Sequence, residues 1–209
     1  MLKRIADELK HHAPFTATGA ATGIVVMAII VVNNVLPQVS PVSYTIFYIL
    51  HPAHILLSAL VTTAMYQKYS TSRIWVILLI GYVGSVGIAT LSDSVIPYLG
   101  ETLLGLEHKA MHIGFIEEPL LTNPAAFIGI AIGYRKPGTT KFPHAGHVLL
   151  STWASLFHVI MALGGTVNWV TLPAIFGFLF LSVWLPCCTS DIVFPLLFVR
   201  RERLPPQPT

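Results

Sequence analysis

Charge is what this sequence has least of. Only 10% of its 209 residues are Asp, Glu, Lys or Arg, while 54% are hydrophobic. Soluble domains carry about a quarter charged residues. This chain therefore cannot clothe itself in a polar surface, and an integral membrane protein is the natural class. Cysteine is nearly absent: Cys187 and Cys188 are adjacent and alone. Two neighbours close only a tiny, strained loop, which excludes a disulfide-built secreted scaffold. No basic run is interleaved with aromatics, so the net charge of +3 does not point to nucleic acid. The first apolar run, Phe15 past Val32, is too long for a signal-peptide core, and no A-x-A site follows it.

What is there is long apolar segments. A helix crossing about 30 Å of hydrocarbon needs roughly 20 mostly apolar residues. Six segments are expected to span: Phe15–Leu36, Tyr44–Tyr66, Ile74–Leu91, Leu120–Tyr134, Gly146–Leu163 and Val170–Leu185. Residues 1–14, with Ile5 and Leu9 on one side, read as a short interfacial amphipathic helix ahead of the first span. Residues 200–209 form a tail.

Lys and Arg set the orientation. Six crossings put Lys3, Arg4, Lys10, Lys68, Arg73, Arg135, Lys136, Lys141, Arg200, Arg201 and Arg203 on one face and Lys109 alone on the other. Eleven against one predicts both termini in the cytoplasm, across a cell (inner) membrane. The outer face gathers Glu101, Glu107, Glu117 and Glu118.

The chain also repeats itself. "HPAHILLS" from His51 matches "HAGHVLLS" from His144, an offset of 93. "SDSVIP" from Ser92 matches "SDIVFP" from Ser190, and "PFTATGAA" from Pro14 is weakly matched by "PLLTNPAA" from Pro119. Order is preserved, so spans 1–3 (residues 15–103) correspond to spans 4–6 (residues 104–199). Three is odd, so the second copy is inverted in the membrane. The expected fold is an all-α, six-span inverted 3+3 repeat. The glycines of "GYVGSVGIA", mid-span with no strand before them, read as close helix packing. Small-residue faces on spans 1 and 3 fit either internal packing or a homo-oligomer.

The matching residues are polar ones that lipid excludes. HxxH places two imidazoles on one helical face, and the stripe continues through Ser58 and Thr62 in one copy and Ser151, Ser155 and His158 in the other. These lines read as a pathway or as packing glue. Topology then sorts two groups of candidate metal ligands. The outer group is His51, His54, Asp93, His108, His112, Glu117 and Glu118, with His108/His112 as an i, i+4 chelate at the start of the fourth span. The cytoplasmic group is His144, His147, Asp191, His11 and His12. Imidazole with carboxylate suits divalent Zn, Fe, Mn, Co or Ni. Asp93 serves either as a ligand or as an acceptor that fixes a histidine tautomer. Cys187 and Cys188 read first as small buried hydrophobes, second as soft ligands.

Three functions follow. Two half-sites on opposite faces of an inverted repeat point first to a divalent transition-metal transporter working by alternating access. The outer His/Asp/Glu cluster alone would serve a membrane metalloenzyme, hydrolase or oxidoreductase; the second, inner cluster argues against catalysis. A b-type cytochrome with one haem per face would carry electrons across the bilayer.

Overall fold

The computed structural model describes residues 2–70, 72–137, 141–163, 169–189 and 193–199, with residues 2–9, 11, 12, 141–145 and 188 described by their backbone alone. Every regular element among these is helical. In chain order they are α1 (Leu2–Val32), α2 (Leu36–Tyr69), α3 (Ile74–Leu103), α4 (Gly114–Glu117), α5 (Pro119–Arg135), α6 (Lys141–Ala162), α7 (Thr171–Cys188) and α8 (Phe194–Leu197). Three stretches are long and apolar enough to cross a membrane: Ala13–Val32 within α1, all of α2 and all of α3. Gly146–Ala162 and Thr171–Cys187 are shorter apolar helices.

Local chemistry sets the ends of these helices. Asn34 adopts a left-handed φ of 53°, one of the few such non-glycine conformations that asparagine tolerates. It lets the N–H groups of Asn34 and Val35 turn back onto the carbonyls of Val31 and Ile30, each at 3.1 Å, which closes α1 as a Schellman cap. Pro37 then sits in the first turn of α2, where a missing N–H costs nothing. α1 is continuous across residue 14, so the expected interfacial segment and first span are one helix.

α3 is the irregular helix. Two five-residue π-turn segments interrupt it, Val83–Gly87 and Leu91–Val95. A π-turn adds a residue to the helical circuit and commonly marks a functional position. Here the second one turns Ser92, Asp93 and Ser94 all into the interior. Pro52 lies inside α2 between its two histidines, where proline cannot donate to the Tyr48 carbonyl one turn back, and the helix continues through it.

α2 is the central helix, packed along both α5 and α6, while α1 packs on α6 and α7. Small residues permit the approach. A Cβ on Gly129 or Gly133 of α5 would collide with the carbonyl oxygens of Leu56 and Leu60 on α2. This is the spacing that lets helices associate where lipid supplies no hydrophobic drive. In "GYVGSVGIA", Gly81 and Gly84 do pack closely, against Thr63 and Ile130 and against Thr62 and Phe194, while Gly87 faces open space.

The polarity of the molecule is inverted. Large apolar side chains such as Val32, Ile49, Leu79, Leu103 and Leu120 are exposed, whereas His51, His54, Asp93, Glu101, His147 and His158 are buried. An exterior of this kind suits lipid, and ionisable groups in such a chain belong inside it.

Candidate metal centre

Asp93 is the hub. Its Oδ2 accepts the Nδ1–H of His51 at 2.9 Å and of His54 at 2.7 Å. Its Oδ1 accepts the hydroxyls of Ser92 and Ser151, each at 2.7 Å. The i, i+3 spacing of His51 and His54 delivers both rings to one face of α2, and the π-turn of α3 delivers the carboxylate. A carboxylate only accepts, so both imidazoles carry hydrogen on Nδ1 and turn Nε2 outward as a ligand atom. That is the arrangement by which carboxylates orient metal-binding histidines.

For His54 the outward atom meets partners. Its Nε2 lies 3.9 Å from the Cys187 sulfur at the end of α7. Its ring stacks on that of His147 from α6, with centroids 5.6 Å apart and planes at 13°. One ligand atom from each of His54, His147 and Cys187 falls within 4.8 Å of the others, and all three residues are buried. Two donors of a tetrahedral Zn²⁺, at about 2.0 Å for nitrogen and 2.3 Å for sulfur, stand roughly 3.6 Å apart. A small closure brings this trio onto one ion. A second compact group, His51, His54 and Asp93, shares His54 with the first. His51 Nε2 has no hydrogen-bond partner, and a Cβ on Gly114 would come within 2.6 Å of it. Gly114 therefore leaves the room this ring occupies.

His54 and His147 were expected in clusters on opposite faces, yet their rings touch. α2 begins eight residues before the expected span, at Leu36, so His54 lies near the middle of a 34-residue helix rather than at its mouth.

A second polar group lies beside the first. His112 Nδ1 is 3.0 Å from Glu117 Oε2, and the Tyr48 hydroxyl donates a short hydrogen bond to the same oxygen. Partial burial raises the Glu117 carboxyl, but the Tyr48 hydroxyl, the His112 ring and the Ile113 N–H outweigh that and hold it below the ordinary carboxylate range. The His112 ring meets that of His158 edge-on at 5.4 Å. His158 Nδ1 in turn pairs with Glu101 Oε1 at 2.6 Å, with both side chains buried.

The remaining expected residues divide as follows. Ser155 donates to the Ser92 carbonyl at 3.0 Å, so Ser151 and Ser155 tie α6 to the π-turn of α3. Ser58 and Thr62 are buried on α2. His108 and His112 do not share a helix, because residues 104–113 run as turns and coil between α3 and α4. The expected one-helix chelate is thus absent, and His108 is exposed, its N–H bonded to the Ala162 carbonyl at 3.1 Å. Glu118 contributes its carbonyl to the first turn of α5. Asp191 and the side chains of His11, His12, His144 and Cys188 lie outside the described residues.

Sequence reasoning missed Glu101, Tyr48 and the role of Cys187. Glu101 falls eight residues after Asp93, two turns along the same helix, and that spacing was the available signal. Cys187 was read first as a buried hydrophobe and only second as a soft ligand, and its partners, 133 and 40 positions away in sequence, were not named.

Fold and site together define an all-helical protein with apolar helices of membrane-spanning length around buried His/Asp/Cys groups able to hold a metal ion. No protein-family model matches the chain, and neither does any curated protein or any solved structure.

Proposed function

We propose that this protein is a six-span membrane transporter of a divalent transition metal, built as an inverted 3+3 repeat with both termini cytoplasmic. The observation that carries the reading is the stack of His54 on His147 with Cys187 beside them. His54 and His147 are equivalent positions under the offset of 93. Inverted-repeat transporters bind their cargo where the two halves meet, and rocking of one half against the other opens that site to each side in turn. The packing of α2 against α6, the two helices that carry the repeated HxxH, supports this arrangement.

Burial favours carriage over catalysis. His54, His147 and Cys187 are each at most 1% exposed, whereas a catalytic metal needs a position open to water or substrate. A site sealed in one conformation and opened in another suits a cargo ion. Neutral imidazoles and a thiolate favour borderline and soft cations, Zn²⁺ and Co²⁺ ahead of Mn²⁺. His54, His147 and Cys187 would be the ligands, and Asp93 would hold His54 in its binding tautomer.

Purified protein in liposomes tests this. Co²⁺ or Zn²⁺ should accumulate in the lumen, and His54→Ala and His147→Ala should each abolish uptake. Uptake surviving both substitutions would remove the site from the transport route.

A further inference from the structure

His158 and Glu101 form a buried pair that the metal centre does not use. Each has one atom to spare: His158 Nε2 and Glu101 Oε2 are buried and have no hydrogen-bond partner. Two orphaned polar atoms on one buried histidine–carboxylate pair are costly in a low-dielectric interior, so their persistence points to a ligand. The pair is too small a donor set for a metal. Among the described residues the compact groups of three or more His, Cys, Asp or Glu are His54/His147/Cys187 and His51/His54/Asp93, and neither includes it.

From this geometry we infer that the His158–Glu101 pair is a proton-binding site that couples proton movement to metal transport. This step rests on the transporter reading. A line of side chains leads from the surface to the pair. Glu117 and His112 are part-exposed, with side-chain accessibilities of 34% and 19%. The His112 ring abuts His158, and His158 holds Glu101 behind it. Glu101 accepts from Nδ1, so an incoming proton adds at Nε2 of His158 and leaves an imidazolium beside a carboxylate.

The groups facing the pair are few. α3 contributes Glu101, the 104–113 segment contributes His112, and α2 contributes Phe47, 5.4 Å from His158 and stacked on His51. α7 and the Ala13–Val32 stretch of α1, which also pack around α6, carry no Asp, Glu, His, Lys or Arg. Protonation of His158 is therefore answered by Glu101 first, with Glu117 beyond His112.

The test uses the full chain with Co²⁺ as probe and a pH-sensitive dye trapped in the liposome lumen. Wild-type uptake should move protons in the opposite direction. With one proton exchanged per ion, each pH unit of imposed gradient should shift accumulation about tenfold. Glu101→Gln and His158→Gln should retain Co²⁺ binding in detergent and lose both the proton signal and the response to the gradient. Variants that couple as the wild type does would overturn the inference, as would variants that lose Co²⁺ binding together with coupling. Infrared difference spectra across an acid step give a readout independent of transport. An imidazolium signal absent only from His158→Gln keeps the proton site even if wild-type protein carries no metal, and absence of that signal from the wild type removes the site.

Discussion

Asp93 and Glu101 are two buried carboxylates on one helix, each paired with histidine Nδ1, and they are built to opposite ends. Asp93 accepts four hydrogen bonds, two on each oxygen. Glu101 accepts one from His158 and leaves Oε2 without a partner. A saturated carboxylate fixes what surrounds it, because both imidazole N–H groups would be orphaned by its loss and both hydroxyls would lose their shorter bond. A carboxylate with an oxygen to spare leaves its histidine able to change protonation state. The same pair of side chains thus orients a candidate metal ligand at one level of α3 and, two turns away, forms the proposed proton site.

Substitutions should separate the two. Asp93→Ala strands the two buried imidazole N–H groups, takes the shorter acceptor from Ser92 and Ser151, and frees both tautomers. It should cost about 3–5 kcal/mol of stability, read by denaturant unfolding in detergent, along with metal binding. Asp93→Asn should recover part of the stability, since its amide oxygen can still accept from both ring N–H groups, and should weaken metal binding about 10–100-fold, since a neutral amide leaves the imidazoles less basic than a carboxylate does. Cys187→Ser should leave the fold intact, weaken Zn²⁺ binding by about 10–100-fold and shift preference toward harder cations, as a competition titration would read. Glu101→Gln keeps an acceptor for His158 and should cost only about 1 kcal/mol. A loss as large as that of Asp93→Ala would erase the contrast between the two carboxylates.

The smallest effect belongs to Glu117. Its carboxyl lies below the ordinary value in the folded chain, so its contribution is present above about pH 4 and fades as pH falls through the depressed folded value. Acid should loosen the 104–118 segment, detected by amide exchange, and Glu117→Gln should remove that pH dependence.

Much of this was legible from residues. HxxH spacing announced two rings on one face, and the buried Asp93 fell in the helix expected to follow. The low charge announced an apolar exterior. What could not be read was depth. The length of α2 decides whether His54 lies at a mouth or at the centre, and Pro37 and Pro41, in the gap between the expected spans that end at Leu36 and begin at Tyr44, are absorbed into the helix. The π-turn at Leu91–Val95, whose Ser92 carbonyl accepts from Ser155 of α6, was equally hidden. Cys187 joined the site only through the packing of α7, a long-range contact that no local pattern encodes.

The function proposed for this protein turns on a buried metal centre of two imidazoles and one thiolate at the contact between α2, α6 and α7. X-ray absorption at the zinc edge on purified, zinc-loaded protein tests it directly. Nitrogen scatterers should appear at about 2.0–2.1 Å and one sulfur at about 2.3 Å, the sulfur disappearing in Cys187→Ser. Stoichiometric zinc with only oxygen and nitrogen neighbours in the wild-type protein would contradict it.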